Sequence, residues 1–190
     1  EKNAPELVKK AFVALNAEYA WKFISDRLYL SKNPSKMLYF SLDLSAGDKA
    51  RTKVYIANES LQDMEAKLQG CLHYVPGSAS KWVKMLTNQD FFDKKPIQIT
   101  YNFTSENDRP VPTIHTPIRS YTKNDEMAVE RLNKFLSPEQ IKTLKAIITQ
   151  ISGAPLKDAK ALTYVSLRPS ADGQLDVIFY IAPCIYSKKG

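Results

Sequence analysis

Apolar and polar residues alternate along this chain with two different periods, and each change of period marks the start of a new element. Over residues 6–30, Leu7, Ala11, Leu15, Tyr19 and Phe23 recur at helical spacing with Lys9, Lys10, Glu18 and Lys22 between them, which predicts one long amphipathic helix. From Met37 the period falls to two. This predicts strands at about 37–44 and 51–57 joined by the turn Ser45-Ala46-Gly47-Asp48. Ser60 and Asp63 then open a helix through Met64, Leu68, Cys71 and Leu72, and a shorter helix follows at about 79–88. A second hairpin is expected at about 96–103 and 112–119. Asn124 caps the next helix, and Ser137-Pro138-Glu139-Gln140 starts another that Gly153 closes. The last hairpin falls at about 161–168 and 174–181.

The order is α, ββ, αα, ββ, αα, ββ, and the second strands return about every 60 to 65 residues, as an internal repeat does. Tyr55, His115 and Tyr180 fall on equivalent positions. The fold class is therefore α+β: repeated αββα units with helices over one side of an antiparallel sheet.

The two sides of the strands differ. Thr52, Val54 and Ile56, then Ile114, Thr116 and Ile118, then Leu175, Val177 and Phe179 form the apolar side that should meet the helices. Opposite them stand Arg51, Lys53 and Tyr55, then Thr113 and His115, then Asp176, Ile178 and Tyr180. The first strands agree in parity, with Tyr39, Ser41 and Asp43, then Gln98, Thr100 and Asn102, then Tyr164, Ser166 and Arg168. Two readings fit this polar, tyrosine-rich face: an open sheet wet on one side, or a curled sheet whose polar face lines a lumen.

Composition narrows the setting. The 190 residues are 44% hydrophobic, enough for one core without staples, and carry a net charge of +7, which favours an anionic partner. No apolar run is long enough to span a bilayer, and the first 30 residues do not resemble a signal peptide, so a soluble cytoplasmic protein without membrane association is expected. Cys71 and Cys184 are too few for a disulfide framework and read as packed thiols. The chain opens at Glu1 without a methionine, which raises the expectation of a processed product or a piece of something longer.

Arg51, Lys53 and Tyr55 project from one strand face in steps of two, so a guanidinium, an ammonium and a phenol converge as they would on a diphosphate. A solvated strand face gives the same pattern. His115 brings a group that titrates near neutrality, and Asp176 would repel an anion unless it pairs with Lys53 or Arg168. No P-loop, Gly-x-Gly-x-x-Gly or Asp-Asp-x-x-Asp motif occurs, so no magnesium site is implied. Cys71 and His73, two apart on an expected helix, make a poor metal pair.

Four stretches together resemble a known family. They are Phe40-Ser41-Leu42-Asp43-Leu44 followed by Ala50-Arg51-Thr52-Lys53-Val54-Tyr55-Ile56; Arg109-Pro110 through Thr113-Ile114-His115-Thr116-Pro117-Ile118-Arg119-Ser120-Tyr121 with Asn124-Asp125; Tyr164-Val165-Ser166-Leu167; and Asp176 to Tyr186. In order and spacing they are similar to the C-terminal half of the aromatic prenyltransferases of the dimethylallyltryptophan synthase type, over essentially the whole chain. The resemblance implies a ten-stranded barrel of five αββα units, the PT barrel, with prenyl diphosphate and an aromatic acceptor such as indole in its lumen. Only three hairpins occur here, so residues 1–190 would be a single PT-barrel-like domain holding the last three repeats, completed by a complementary N-terminal chain. It further implies that Arg51, Lys53, Tyr55, Thr113, His115 and Tyr180 face the diphosphate, that Tyr39 and Tyr164 shield the prenyl cation and the aromatic ring, and that no cofactor is required. His115 stands where the family commonly has Tyr, Thr113 where a longer donor is frequent, and Asp176 where a further Tyr is often found. The family's glutamate base lies on an early strand, before Glu1, so no residue here takes the catalytic base role. Two alternatives remain beside transfer of a prenyl group: a relative that binds prenyl diphosphate without chemistry, and a basic sheet that stacks single-stranded nucleic acid, disfavoured by the absence of an RNA-recognition aromatic signature.

Overall fold

The computed structural model of the chain describes residues 4–28, 36–43, 51–104 and 107–183. Among them seven helices and six strands alternate: α1 (Ala4–Ala14), α2 (Glu18–Leu28), β1 (Met37–Leu42), β2 (Arg51–Asn58), α3 (Leu61–Leu68), α4 (Ser78–Thr87), β3 (Ile97–Thr104), β4 (Val111–Thr116), α5 (Ile118–Tyr121), α6 (Asp125–Leu132), α7 (Pro138–Ser152), β5 (Leu162–Pro169) and β6 (Leu175–Ile181). The strands form one antiparallel sheet in sequence order, β1-β2-β3-β4-β5-β6, with β1 and β6 at its two edges. Among the described residues this is an open sheet and not a closed barrel. Leu44, the expected turn Ser45-Ala46-Gly47-Asp48, the end of the first expected helix at 29–30, and Cys184 through Tyr186 lie outside the described residues.

The helices lie on the side that the apolar parity selects. Val54, Ile56, Ile99, Tyr101, Phe103, Ile114, Val165 and Leu167 are buried there, and two adjoining clusters share the core. One gathers α1 to α4 over β2 and β3, and the other gathers α6 and α7 over β5. Tyr101 is wholly buried because its hydroxyl finds a partner, donating to the Lys67 carbonyl at 2.7 Å. Asp125, at the start of α6, accepts from the backbone amides of Ala161 at 2.7 Å and Leu162 at 3.2 Å, fixing where β5 enters the sheet.

Three expectations are corrected. The first helix is two, because Asn16 adopts a left-handed φ of 52° that ends the helical ladder, and the Ala17 amide bonds back to the Phe12 carbonyl at 2.9 Å. Each half still buries its apolar face, Val8 and Phe12 on α1 and Ala20, Ile24 and Leu28 on α2. The second hairpin ends at Thr116, since Pro117 has no amide to give the ladder, and Ile118–Tyr121 turns helical. Cys71 and His73 lie past the end of α3, with His73 at φ 59°, so they are not partners on a helix face. The caps fall as expected: Ser60 accepts from the Asp63 amide, Asn124 accepts from the Met127 amide, and Ser137 with Gln140 forms a full capping box. Among the described residues no helix is long and apolar enough to cross a membrane.

Candidate functional site

The register places the predicted residues on one face. Tyr39 pairs with Tyr55, Tyr55 with Thr100 and Thr100 with Thr113, which makes one row across four strands. A neighbouring row runs Ser41, Lys53 and Asn102, and another runs Gln98, His115, Ser166 and Ile178. Tyr164 faces Tyr180, and Arg168 faces Asp176. Because side chains alternate along each strand, all of these point away from the helices.

At the β1–β2 end the cations are held by a carboxylate. Arg51 Nε donates to Asp43 Oδ2 at 2.8 Å and Lys53 Nζ to Asp43 Oδ1 at 3.4 Å. The Arg51 hydrogen bond, with Lys53 beside it, holds the Asp43 carboxyl below its ordinary value. Two cations against one carboxylate leave a surplus positive charge, carried by donors aimed off the sheet. That arrangement can bind a polyanion, with Asp43 keeping the donors aligned beforehand. Asp176 is likewise accounted for: Arg168 takes it, at 2.7 Å.

From this end a line of rings crosses the sheet. Tyr39 meets Tyr55 edge to face at a centroid distance of 5.8 Å, Tyr55 stacks on His115 at 5.8 Å and 25°, His115 meets Tyr180 at 6.4 Å, and Tyr180 meets Tyr164 at 6.3 Å. Five rings from five strands make a connected row, mostly edge to face, whose exposed π faces can meet a cation. Tyr39, at 64% exposure, and Tyr180, at 45%, present much of their rings to whatever lies over the face. The sequence parity brought these residues to one side. It did not reveal that they touch.

His115 is the centre of this line and is chemically occupied. Its Nε2 lies 2.7 Å from the Thr100 hydroxyl and its Nδ1 2.6 Å from that of Ser166, so one ring nitrogen donates, the other accepts, and three strands are tied together. Burial lowers its pKa from 6.5 to about 4. The expected titration near neutrality is therefore corrected: the imidazole is neutral there. Thr113, on the same face, accepts a hydrogen bond from the Asn102 amide at 3.2 Å.

Of the predicted residues, then, Arg51, Lys53 and Tyr55 gather with Tyr39 at one end, His115 joins them to Tyr180 and Tyr164, and Thr113 sits between. Tyr180 and Tyr164 stand several strands away from the cation pair. One residue escaped the sequence reading: Lys95, whose Nζ lies 4.9 Å from the Tyr164 ring centre. The only signal was a basic residue, beside Pro96, at the entrance to a strand. Among the described residues no group of three or more His, Cys, Asp and Glu side chains could hold a metal ion.

This architecture, an antiparallel sheet backed by paired helices with a polar, aromatic open face, is the fold found in dimethylallyltryptophan synthases and other prenyltransferases of known structure. The 6-dimethylallyltryptophan synthase from Micromonospora olivasterospora, solved with DMASPP and Trp, superposes with a TM-score of 0.84 at 24% identity, covering 96% of this chain and 54% of that one. The 5-dimethylallyltryptophan synthase from Streptomyces coelicolor, also solved with DMASPP and Trp, gives 0.82 at 20% identity over 100% of this chain and 54% of that one. The prenyltransferase NotF gives 0.73 at 17% identity, covering 94% and 49%. The chain thus spans about half the length of the solved structures it matches. No protein-family model and no curated protein matches the sequence.

Proposed function

We propose that this chain is the diphosphate-binding part of an aromatic prenyltransferase, moving a prenyl group, dimethylallyl by preference, from its diphosphate to an aromatic ring such as indole. The supporting observation is that the cation pair Arg51 and Lys53 sits at one end of a continuous row of rings, on the open face of a sheet shared with enzymes of that kind. Arg51, Lys53 and Tyr55 take the diphosphate, with Thr113, His115 and Tyr180 completing that face. Tyr39 and Tyr164 flank the prenyl group and the acceptor.

The allylic C–O bond breaks with both electrons leaving on the diphosphate, whose growing charge the guanidinium and ammonium neutralise. The allylic cation meets π faces instead of water until the acceptor ring attacks its terminal carbon. The resulting arenium ion gives up one proton to a base. That base we assign to a complementary segment or chain that also supplies further strands. Supporting this, β1 and β6 have no outer strand partner among the described residues. Side-chain cations meet the charge, so the proposal needs no cofactor and no magnesium.

The test is calorimetric titration of this chain with dimethylallyl thiolodiphosphate, which cannot ionise readily. Binding that weakens about tenfold or more in both Arg51→Ala and Lys53→Ala supports the reading, since each removes a charge-assisted contact. Binding that instead grows with oligonucleotide length and vanishes in salt would replace it with a nucleic-acid surface.

A further inference from the structure

The ion pair of Arg168 and Asp176 lies on the open face, level with the cation pair of β2. Tyr55 pairs with Thr100 and Thr100 with Thr113, and the residue of β5 just past the Ile114–Leu167 pair is Arg168, so its guanidinium continues the row that starts at Tyr55. Asp176 faces it from β6. Both contacts go to one oxygen: Arg168 Nε donates to Asp176 Oδ2 at 3.1 Å and Nη2 to the same atom at 2.7 Å. Nη1 has no acceptor among the described residues, so the guanidinium has donors to spare.

The pair is also loosely held. Its side chains are 41% and 45% exposed, and an ion pair that wet contributes little, so an anion of higher charge can take Arg168 from Asp176 at small cost. Arg51 and Lys53 stand in the same relation to Asp43. Two sides of one face thus carry cations, each held by a carboxylate.

The face draws these sides together. Backbones two strands apart are separated by about 10 Å. The rings of Tyr55 on β2 and His115 on β4 are nevertheless 5.8 Å apart, and those of His115 and Tyr180 on β6 are 6.4 Å apart. Side chains converge over this surface as they do inside a curve. Lys53 and Arg168 therefore reach into shared space from backbones three strands, or about 14 Å, apart. A single phosphate is too short to bridge them, whereas two linked phosphates present an oxygen to each.

We infer that Arg168 exchanges Asp176 for the phosphate that Arg51 and Lys53 do not hold, so that this ion pair makes the chain select a diphosphate over a monophosphate. This rests on the proposed prenyl-transfer reading and adds to it the residue that counts phosphates. Asp176 is a positioning residue, keeping the guanidinium aimed along the row in the free protein. Because Asp176 stands where the family this chain resembles often has Tyr, the exchange is a feature of this chain and not of that pattern.

The matched probes are dimethylallyl thiolodiphosphate and dimethylallyl monophosphate, titrated into this chain by calorimetry at one ionic strength. Arg168→Gln should weaken the diphosphate about tenfold and leave the monophosphate within about twofold, whereas Lys53→Ala should weaken both. Arg168→Lys, which keeps the charge and loses the fork, should recover part of the loss. Removing Arg168 also bares the Asp176 carboxylate, so the same loss is measured with Asp176→Asn as the starting point, where no carboxylate remains to repel the ligand. There too Arg168→Gln should cost about tenfold. Unchanged diphosphate binding in Arg168→Gln, equal weakening of both probes, or a loss that disappears once Asp176 is replaced would overturn the inference. Absence of thiolodiphosphate binding by wild type would instead overturn the reading beneath it.

Discussion

The imidazole of His115 lies nearly parallel to the phenol of Tyr55, 25° between planes and 5.8 Å between centres, although β3 runs between their strands. Thr100, on that intervening strand, reaches up to His115 Nε2 and fixes the tilt. His115 thus acts first as a wedge, setting the angle of Tyr55 beside Lys53.

A wedge held neutral has a pH signature. Burial puts the His115 pKa at about 4, below the 6.5 of the unfolded chain. Between those values the unfolded state takes up a proton that the folded state refuses. Stability therefore falls as pH drops from 6.5 toward 4, by at most about 1.4 kcal/mol per pH unit, and is unaffected by this group above 6.5. Urea midpoints measured across that range should slope in wild type and flatten in His115→Gln; equal slopes would remove His115 as the cause. Prenyl thiolodiphosphate affinity should show no His115-dependent change between about pH 7 and 8, where the ring is already neutral.

Asp43 competes with any anion for Arg51 and Lys53. In Asp43→Asn the two cations lose their internal counter-charge, and inorganic diphosphate should bind several-fold more tightly, with a steeper dependence on ionic strength. Titrations at low and moderate salt read this directly. Weaker binding in the variant would mean that alignment by the carboxylate outweighs its competition.

Much of this arrangement is readable from periodicity. The strand parities, the polar face and the caps at Asn124, Ser137 and Gly153 depend on residues a few positions apart, and all appear in the structure as the local chemistry dictates. The break at Asn16 was hidden because the apolar period runs through α1 and α2 alike, with Phe12 and Phe23 both resting on Phe103. The charge state of His115 was hidden for another reason. It depends on burial within the assembled sheet, against strands 15 and 51 residues away in the chain, which no local window contains. Lys95 over Tyr164 is long-range in the same sense.

Lys67 is fully buried, with its ammonium 2.6 Å from Asp63 Oδ2 and 3.1 Å from Asn58 Oδ1. Desolvation lowers its pKa while Asp63 opposes the shift. Lys67→Ala leaves the Asp63 carboxylate without its cation and Asn58 without a donor, and should cost about 3 to 5 kcal/mol by urea denaturation. Lys67→Met with Asp63→Leu, which removes both charges and refills the space, should recover most of that loss.

Glu65 ties α3 to the start of α4. One carboxylate oxygen accepts from the Ser80 amide at 2.6 Å, and the other accepts from the Gly77 amide at 3.0 Å and from the Tyr74 hydroxyl. These amides belong to the first turn of α4 and its cap, where Gly77, left-handed at φ 84°, offers no side chain to satisfy them. Burial alone would raise the Glu65 pKa, but the three donors outweigh it and the value is lowered. The contribution is therefore present above the ordinary carboxyl pKa and lost as pH falls through the depressed one. Glu65→Ala should destabilise the chain by about 2 to 3 kcal/mol at neutral pH, and Glu65→Gln by less, because its amide keeps one acceptor. Amide exchange should locate the effect, with the Gly77 and Ser80 protons losing protection in Glu65→Ala and the Tyr101 amide in β3 keeping its own. Loss spread evenly over both would mean that Glu65 supports the whole fold and not this junction.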